Sequence, residues 1–562
     1  MIRRDLRQLA DTRFDLVVIG GGLFGACAAW DAAQRGLSVA LIERGDFSAG
    51  TSAHSYKVVH GGIRYLQHGD IYRVRQSSNE RRAFLRIAPH LVHPMPIVIP
   101  TFGRGWSGKT VLRAGLHAYD LLTIDRNAGV GNIARHIPRA RILGRDEARQ
   151  MFPNLIRSDA TGAGVFADGQ YQNPPRLVWA VVESAITNGA VAANYLEATN
   201  FIRRGNAVTG VTVQDRIDGE QFDIQATVVI NAAGPYAEPL LARNGLQLTP
   251  AGTYSRDACF VVPRRMLPGD HALALMTATR DPDAKLSRGA RHLFIAPWRE
   301  YTLIGTWHRV QRPGSLDILV SDDELSRFVA DANAACPELS LTLEDVSVRN
   351  SGLVPFGENE EGAEDLRYGH RSELIDHSTV HGCENLITLI GVRLTTARFE
   401  AKRAVDLAFR KRGHRPPPAR TDSTPVTGGD FDDWTGLVAE VEAATAPHCS
   451  GNVALSLAHH YGCSYRKVLD EPGEHPQGVI ERSSTIRAQV YRAARAEMAL
   501  TLEDVVLRRT DLATGEYPGR PALTECAAIL AAELGWSSEE TDRQIADVVA
   551  RFPSWEISRV DS

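Results

Sequence analysis

The sequence predicts an α/β fold in three parts: a parallel-sheet domain that starts at the N-terminus, a β-rich domain inserted into it, and a helical C-terminal domain. Three observations carry this. Phe14–Gly20 (FDLVVIG) is a bounded, β-branched apolar run that leads through a glycine-rich turn into a helical stretch and a second apolar strand. Residues 252–308 read as β-rich. Beyond about residue 430 every pattern is helical.

Taken in order, the helix after the turn spans Leu23 to Arg35, Gly36 stops it, and Ser38–Glu43 is the second strand, completing one βαβ unit. Phe47–Leu66 is rich in Gly, Ser and His without periodicity and reads as an ordered loop over a ligand. Residues 71–92 are helical in pattern, whereas 95–160 mix Pro, Gly and basic residues irregularly. An amphipathic helix covers 176–188, and strands follow near 191–196, 208–214 and 222–231. A helix near 322–335 follows the β-rich region. Asn385–Ile390 is a buried strand running into Gly391 and a helix from Thr396 to Lys411. Arg415-Pro416-Pro417-Pro418 marks a linker. Ser537–Glu540 forms a capping box, and Thr501 with Asp504 caps another helix. LTLEDV occurs at 341–346 and 500–505 in different surroundings and is taken as chance, not a repeat. The resulting boundaries are 1–100, 161–235 and 355–415 for the nucleotide domain, 101–160 and 236–354 for the substrate or cap domain, and 420–562 for the helical domain.

With 562 residues the chain exceeds one hydrophobic core. A net charge of −4 gives no basic face for nucleic acid. No run reaches the roughly 20 apolar residues of a membrane helix. Charged residues (Arg3, Arg4, Asp5, Arg7, Asp11, Arg13) interrupt the opening segment and argue against a secretory leader. Those arginines form a solvated face, with anionic lipid as the other reading. The seven cysteines are odd in number, scattered and without a CxxC pair, which implies reduced cytosolic thiols and no metal site.

Gly20-Gly21-Gly22-Leu23-Phe24-Gly25 fits GxGxxG between strand and helix. Gly20 permits the tight turn, Gly22 lets the backbone approach a pyrophosphate, and Gly25 lets helix and strand pack closely. The helix N-terminus offers unpaired N–H groups to the phosphates. Glu43 ends the second strand, where a carboxylate accepts hydrogen bonds from the adenosine ribose; an acid there argues against the 2′-phosphate of NADP. Two further features favour FAD over NAD: a strand ending in Asn231-Ala232-Ala233-Gly234-Pro235, and the turn Gly391-Val392-Arg393-Leu394-Thr395-Thr396 at another helix start. The first domain is therefore expected to be a Rossmann-like FAD-binding domain.

Together with Asp46-Phe47-Ser48-Ala49-Gly50-Thr51-Ser52 and Lys57-Val58-Val59-His60-Gly61-Gly62-Ile63-Arg64-Tyr65-Leu66, these stretches resemble the FAD-dependent glycerol-3-phosphate dehydrogenases and oxidases, within the D-amino-acid-oxidase-like flavoproteins. Pro297-Trp298, Gly305-Thr306, Ser351-Gly352, Arg398, Leu457–Gly462 and Ala496–Asp504 extend the resemblance over almost the whole chain. It implies hydride transfer from the carbinol carbon of glycerol 3-phosphate to flavin N5, with electrons passing to a membrane quinone or to oxygen. It places FAD on Gly20, Gly22, Leu23, Phe24, Gly25, Glu43, Arg44, Thr51, Ser52, His60, Gly61, Gly62, Ala233, Gly234, Gly391, Arg393, Leu394, Thr395 and Thr396.

The substrate side departs from the family. Arg64 matches the GGLRYL-like motif, Arg371 falls at a phosphate-binding arginine, and Arg256 replaces a lysine. Val354 stands where the family has a charged residue, Cys259 replaces a histidine, Arg393 replaces a lysine, and Trp307-His308 ends the GTTD-like segment. Arginines suit a phosphate because their planar forks bind its oxygens bidentately. Substrate contact is assigned to Arg64, Arg256, Arg371 and Trp307, and catalysis to His308, Arg64 and Arg393, with His308 the alcohol-proton acceptor. For His308 and each of these arginines the competing reading is a structural partner. His60 is expected to order its loop against FAD, and Cys259 to be a small buried apolar residue.

The expectation is FAD-dependent oxidation of a secondary alcohol, glycerol 3-phosphate or a related anionic polyol that is larger or less polar. An amine or amino-acid oxidase of the same fold group, and a catalytically silent flavin-binding partner protein, stay open. A cytoplasmic location, peripheral on the inner face of the membrane, and a homodimer complete the expectation.

Overall fold

The computed structural model describes residues 4–103, 108–153, 155–248, 253–280, 290–311, 314–355, 372–446 and 451–561. Two sheets organise it. In the first, strand Arg13–Ile19 lies between Val39–Ile42 and Gln221–Asn231, parallel to both, and Leu386–Ile390 and Val191–Ala193 extend the parallel core on either side. Glu373–Asp376 closes one edge antiparallel. Ala207–Asp215 folds back antiparallel onto Gln221–Asn231, and Leu196–Arg204 pairs antiparallel with Ala207–Asp215. Successive side chains of a strand face opposite sides, so Leu16 and Val18 pack beneath the helices Leu23–Gln34, Pro174–Thr187 and Ala397–Lys411, while Val17 and Ile19 face the other layer. A strand buried on both faces needs a continuous apolar run, which Phe14–Gly20 supplies.

Among the described residues the second sheet has nine strands. Val348–Pro355, Tyr254–Val262, Tyr301–Val310, Ala290–Trp298, Ala272–Arg280, Val92–Phe102, Ala160–Tyr171 and Val58–Val59 follow one another in space, and Arg141–Leu143 adds to Ala160–Tyr171. Helix Asp322–Ala335 covers one face through Leu325, Phe328 and Val329, which pack on Phe260, Val262 and Ile295. This helix has the expected bounds because Ser321 and Glu324 form a reciprocal capping box.

Two sequence expectations need correction. Residues 95–160 are not irregular: they hold most of strand Val92–Phe102 and the helices Lys109–Leu122 and Arg145–Met151. The expected domain boundaries also cut across the second sheet: Val58–Val59, most of Val92–Phe102 and all but the first residue of Ala160–Tyr171 fall inside the nucleotide-domain bounds given above, yet these strands pair in the second sheet. Pro94, Pro96 and Pro100 hid the long strand. They share one parity, so their missing N–H groups fall on a single edge, and the antiparallel ladder to Ala160–Tyr171 runs the whole length.

The C-terminal part is helical as expected, from Trp434–Thr445 to Ser554–Asp561. Ser537 caps its helix by accepting from the Glu540 N–H at 3.2 Å, but the Glu540 carboxylate turns to Arg543 and Gln544, so only half of the expected box forms. Both LTLEDV copies make a reciprocal Thr-x-x-Asp cap, Thr342 with Asp345 and Thr501 with Asp504. One opens a 3₁₀ turn and the other the π-helix Asp504–Arg509, so the shared hexapeptide sets a local cap and nothing larger. Buried ion pairs dock this domain on the rest: Arg176 with Glu497 at 2.6 Å, Arg299 with Asp511 at 2.5 Å, and Asp46 with Arg508 and Arg509 at 2.7 Å each. Among the described residues no helix is long and apolar enough to cross a membrane, and no cluster of three or more metal-ligating side chains occurs.

Candidate active site

The C-terminal ends of the parallel strands and the second sheet enclose a cavity of about 1430 Å³. At its nucleotide end Gly20 has φ +106°, and an added Cβ would lie 2.6 Å from the Ala232 carbonyl oxygen, so only glycine fits the turn. A Cβ at Gly25 would strike the Gly20 carbonyl oxygen, which is the close helix–strand packing that the motif requires. Helix Leu23–Gln34 starts at Gly22 with no side-chain cap; the Leu23 N–H donates to Ser52 Oγ at 3.1 Å. Gly22, Leu23 and Phe24 line the cavity, so the helix N-terminus faces it.

Glu43 Oε2 accepts from the Gly21 N–H at 2.6 Å and Oε1 from the Gly45 N–H at 2.9 Å. Burial raises its carboxyl despite these two donors. Arg44 lies over the Tyr236 ring at 3.6 Å, and both line the cavity. Ser48, held at φ +69°, presents a buried hydroxyl that has no protein partner and lines the same cavity. A helix N-terminus without a side-chain cap of its own, a carboxylate lining the same cavity and an unpaired buried hydroxyl fit a dinucleotide; Gly22, Leu23, Glu43, Ser48 and Ser52 would hold its phosphates and ribose.

Toward the other end Gly391 passes against the Phe24 ring, where a Cβ would collide. Thr395 Oγ1 accepts from the His60 N–H at 3.0 Å, tying the His60–Gly62 loop to the helix start after Gly391. His60 Nδ1 is 3.6 Å from Asp168, which also takes the Gly61 N–H at 2.7 Å and Arg81 at 2.7 Å. Burial alone would raise the Asp168 carboxyl, but His60, Arg81 and the Gly61 N–H outweigh it and hold it below the usual range. Thr51, Gly62, Ala233, Gly234, Leu394 and Thr395 line the cavity. Gly61 and Thr396 do not: Gly61 packs on Arg81 and Tyr119, and the buried Thr396 hydroxyl donates to the Arg393 carbonyl at 3.1 Å. They support the binding loops from behind.

On the substrate side Arg393 Nη1 donates to Tyr65 Oη at 2.8 Å and Ser77 Oγ at 3.2 Å. Arg73 and Arg393 stand 5.4 and 4.9 Å from the Tyr65 ring, and both line the cavity with Arg64. His292, half-buried and beside Arg64, is pushed down to about 4, chiefly by desolvation. His308 Nδ1 lies 2.7 Å from Asp257 Oδ1 and its Nε2 3.1 Å from Thr306 Oγ1. Trp307 borders the cavity but stacks on Phe328 (5.7 Å, 16°) of the covering helix.

Arg256 is the clear correction. Strand alternation turns it to the helix side, where it pairs with Glu324 at 2.5 Å and lies outside the cavity lining; its neighbour Asp257 faces the cavity instead. Arg371 lies outside the described residues. Cys259 lines the cavity as a neutral thiol, pushed up to about 11 by burial. The residues missed from sequence are Ser48, Arg73, Asp168, Asp257 and Thr306. Three had a usable signal: Ser48 and Thr306 stand inside the quoted family motifs, and Asp257 adjoins Arg256 on a strand.

A dinucleotide cradle opening onto a pocket with an oriented imidazole and several guanidinium groups defines a flavin-binding oxidoreductase. A family model described as FAD dependent oxidoreductase matches residues 15–429, and one described as the C-terminal domain of alpha-glycerophosphate oxidase matches 419–541. The glycerol-3-phosphate dehydrogenase of Synechocystis sp. is 33% identical over 96% of this chain and 97% of its own. The mitochondrial glycerol-3-phosphate dehydrogenase of Mus musculus is 29% identical over 97% of this chain and 74% of its own. The crystal structure of the glycerol-3-phosphate dehydrogenase from Bacillus halodurans complexed with FAD superposes with a TM-score of 0.71 at 24% identity, covering 97% of this chain and 95% of that one. The chain belongs to the glycerol-3-phosphate dehydrogenase family of FAD-dependent oxidoreductases, and FAD is its cofactor.

Proposed function

We propose that the chain oxidises the secondary hydroxyl of glycerol 3-phosphate, or of a closely related anionic polyol, to the ketone. The observation that carries this reading is the meeting, in one cavity, of the nucleotide cradle with His308 and the guanidinium groups of Arg64, Arg73 and Arg393. Bound FAD supplies the acceptor for the carbinol hydrogen and its electron pair. The chain's own part is threefold. The arginines hold the anionic end, with Arg393 steadied by Tyr65 and Ser77. His308 accepts the hydroxyl proton. The apolar walls, including Val354 and the buried Cys259, exclude water from the reacting carbon.

Anaerobic titration of the holoenzyme with glycerol 3-phosphate tests this. The oxidised-flavin band at roughly 450 nm is expected to bleach in full with one equivalent of substrate per flavin. No bleaching with glycerol 3-phosphate, alongside bleaching by an amine or amino acid, would reverse the assignment to C–O oxidation.

The electron acceptor proposed is a membrane quinone, with the protein docked peripherally on the bilayer. Ile71 and Tyr72 are 55% and 56% exposed, and Leu121 and Ile124 are each 73% exposed. They flank one junction, where Arg75 donates to the Leu122 carbonyl and both Arg75 and Arg82 bind Asp125. The same helix carries Arg73 at the cavity, so the patch adjoins the substrate end. Vesicle co-sedimentation checks it: the Ile71→Ser/Leu121→Ser double variant should bind anionic vesicles roughly tenfold more weakly, with turnover on a soluble dye unchanged. Equal binding by variant and parent would remove the patch from the account.

A further inference from the structure

Strand Tyr254–Val262 lies between Tyr301–Val310 and Val348–Pro355, and the register sets Asp257 opposite His308 on one side and Gly352 on the other. Ser255, two residues away on the same face, stands opposite Val354. This face meets the flavin loop: a Cβ at Gly352 would lie 2.9 Å from the Thr51 methyl, and the Thr51 hydroxyl donates to the Leu353 carbonyl at 3.1 Å. Asp257 Oδ1 accepts from the Ser255 hydroxyl at 2.7 Å and sits 2.7 Å from His308 Nδ1. A carboxylate at that distance fixes Nδ1 as the protonated nitrogen, an assignment made from the hydrogen-bond partners. Nε2 then carries the lone pair, and it faces the Thr306 hydroxyl at 3.1 Å.

We infer that Asp257 is the positioning residue that makes His308 Nε2 the proton acceptor of the alcohol oxidation, with Ser255 holding Asp257 in place. The inference rests on the reaction proposed above and adds the residue that prepares its base. In the step, the substrate O–H bond breaks and its proton forms an N–H bond at Nε2. The carbinol C–H bond breaks with its electron pair leaving to the bound flavin, and the C=O bond forms. Asp257 stays ionised and neutralises the imidazolium across the Nδ1–H bond. The dyad occupies the stretch of sheet where Val354 offers no charge, so the proton acceptor is supplied from the two adjoining strands. Among the described residues, the other charged groups near it lie on both sides of the sheet. Arg256 and Arg309 both pair with Glu324, Arg256 is also 3.8 Å from Asp317, and Arg327 and Asp331, on helix Asp322–Ala335, line the same cavity. Lys57 lies on the near side beyond Cys259, over the Trp298 ring.

Two measurements on the holoenzyme test this. The first is the rate of flavin reduction by glycerol 3-phosphate under anaerobic single turnover, from about pH 6 to 9. Asp257→Asn should slow reduction by roughly 10- to 100-fold with little change in substrate affinity, and shift the ascending limb of the pH–rate profile to lower pH. Asp257→Glu should recover part of the rate, and Ser255→Ala should give a smaller shift of the same sign. His308→Asn should abolish the limb. Wild-type rates and profile in Asp257→Asn overturn the proposal. The second is ¹⁵N-histidine NMR, with the His308 signals assigned by their absence in His308→Asn. The Nδ1–H tautomer is expected at neutral pH, and the Nε2–H tautomer would overturn the dyad even if reduction were fast. Failure of the wild-type flavin to reduce with the Nδ1–H tautomer present would overturn the reaction, and with it the base role, but not the dyad.

Discussion

Replacing Asp46 by alanine is expected to lower the temperature at which the protein releases FAD by on the order of 10 °C. Asp46 lies in the flavin loop and its side chain is fully buried. Oδ1 accepts from Arg509 Nη2 at 2.7 Å and Asn194 Nδ2 at 2.9 Å; Oδ2 accepts from Arg508 Nε and Arg509 Nη1, each at 2.7 Å. Burial would raise its carboxyl, but the two guanidinium groups outweigh that and hold it ionised. Removing one member of a buried network strands the opposite charges and costs about 3–5 kcal/mol. Asp504 can neutralise Arg508, which it touches at 2.5 Å, but Arg509 loses its carboxylate. The loss reaches the cofactor because Asp46 precedes Phe47 and Ser48, and the Ser48 N–H holds the Gly21 carbonyl at 3.1 Å. Following flavin fluorescence during a thermal ramp measures the effect. A release temperature within a degree or two of wild type would mean that the C-terminal domain does not brace the flavin loop.

That network also marks where sequence reading stops. The nucleotide cradle was legible because its determinants are local: one strand, one turn, one helix, with Glu43 at the end of the next strand. Helix Asp322–Ala335 was legible because its cap and apolar stripe coincide. Ala160–Tyr171 was not, because it is buried along nearly its whole length and its alanines and glycines give neither alternation nor a β-branched run. At the other end of the cavity the reading depended on one bit of information, whether Arg256 or Asp257 faces the cavity, and a bulge between Ala258 and Cys259 blurs that parity. The Asp46–Arg509 pair spans 463 positions and leaves no local trace at all. The family motifs located the flavin loop without revealing what holds it.

Acidification should undo the same docking from another side. Wild type is expected to lose stability as pH falls from 6.5, and His90→Asn to lose less. His90 is buried where helix Ile71–Ile87 ends against the C-terminal domain, and neither ring nitrogen has a hydrogen-bond partner. Its carbonyl accepts from His459 Nδ1 at 2.8 Å, and its ring packs on Phe431. Burial pushes it from 6.5 down to about 3, and the charges of Arg176 and Arg135 add to this. His93 is held at about 4 by burial and Arg135, and His459 lies well below its ordinary value, again chiefly through burial. The folded state therefore keeps these rings neutral while the unfolded chain binds protons. Their contribution is complete above pH 6.5 and is lost as pH drops toward the folded values. For His90 alone the loss is roughly 2 kcal/mol by about pH 5 and roughly 3 kcal/mol by about pH 4. Buried carboxyls that burial raises, such as Glu43 and Glu183, take up protons in the folded state and work the other way. The decisive quantity is therefore the difference between wild type and His90→Asn, which cancels them. At about pH 7.5 the variant should be no more stable than wild type; by about pH 5 it should have gained roughly 2 kcal/mol relative to it. A difference that stays constant across that interval would mean that His90 titrates alike in the folded and unfolded chain, and that its burial does not link protonation to the docking of the C-terminal domain.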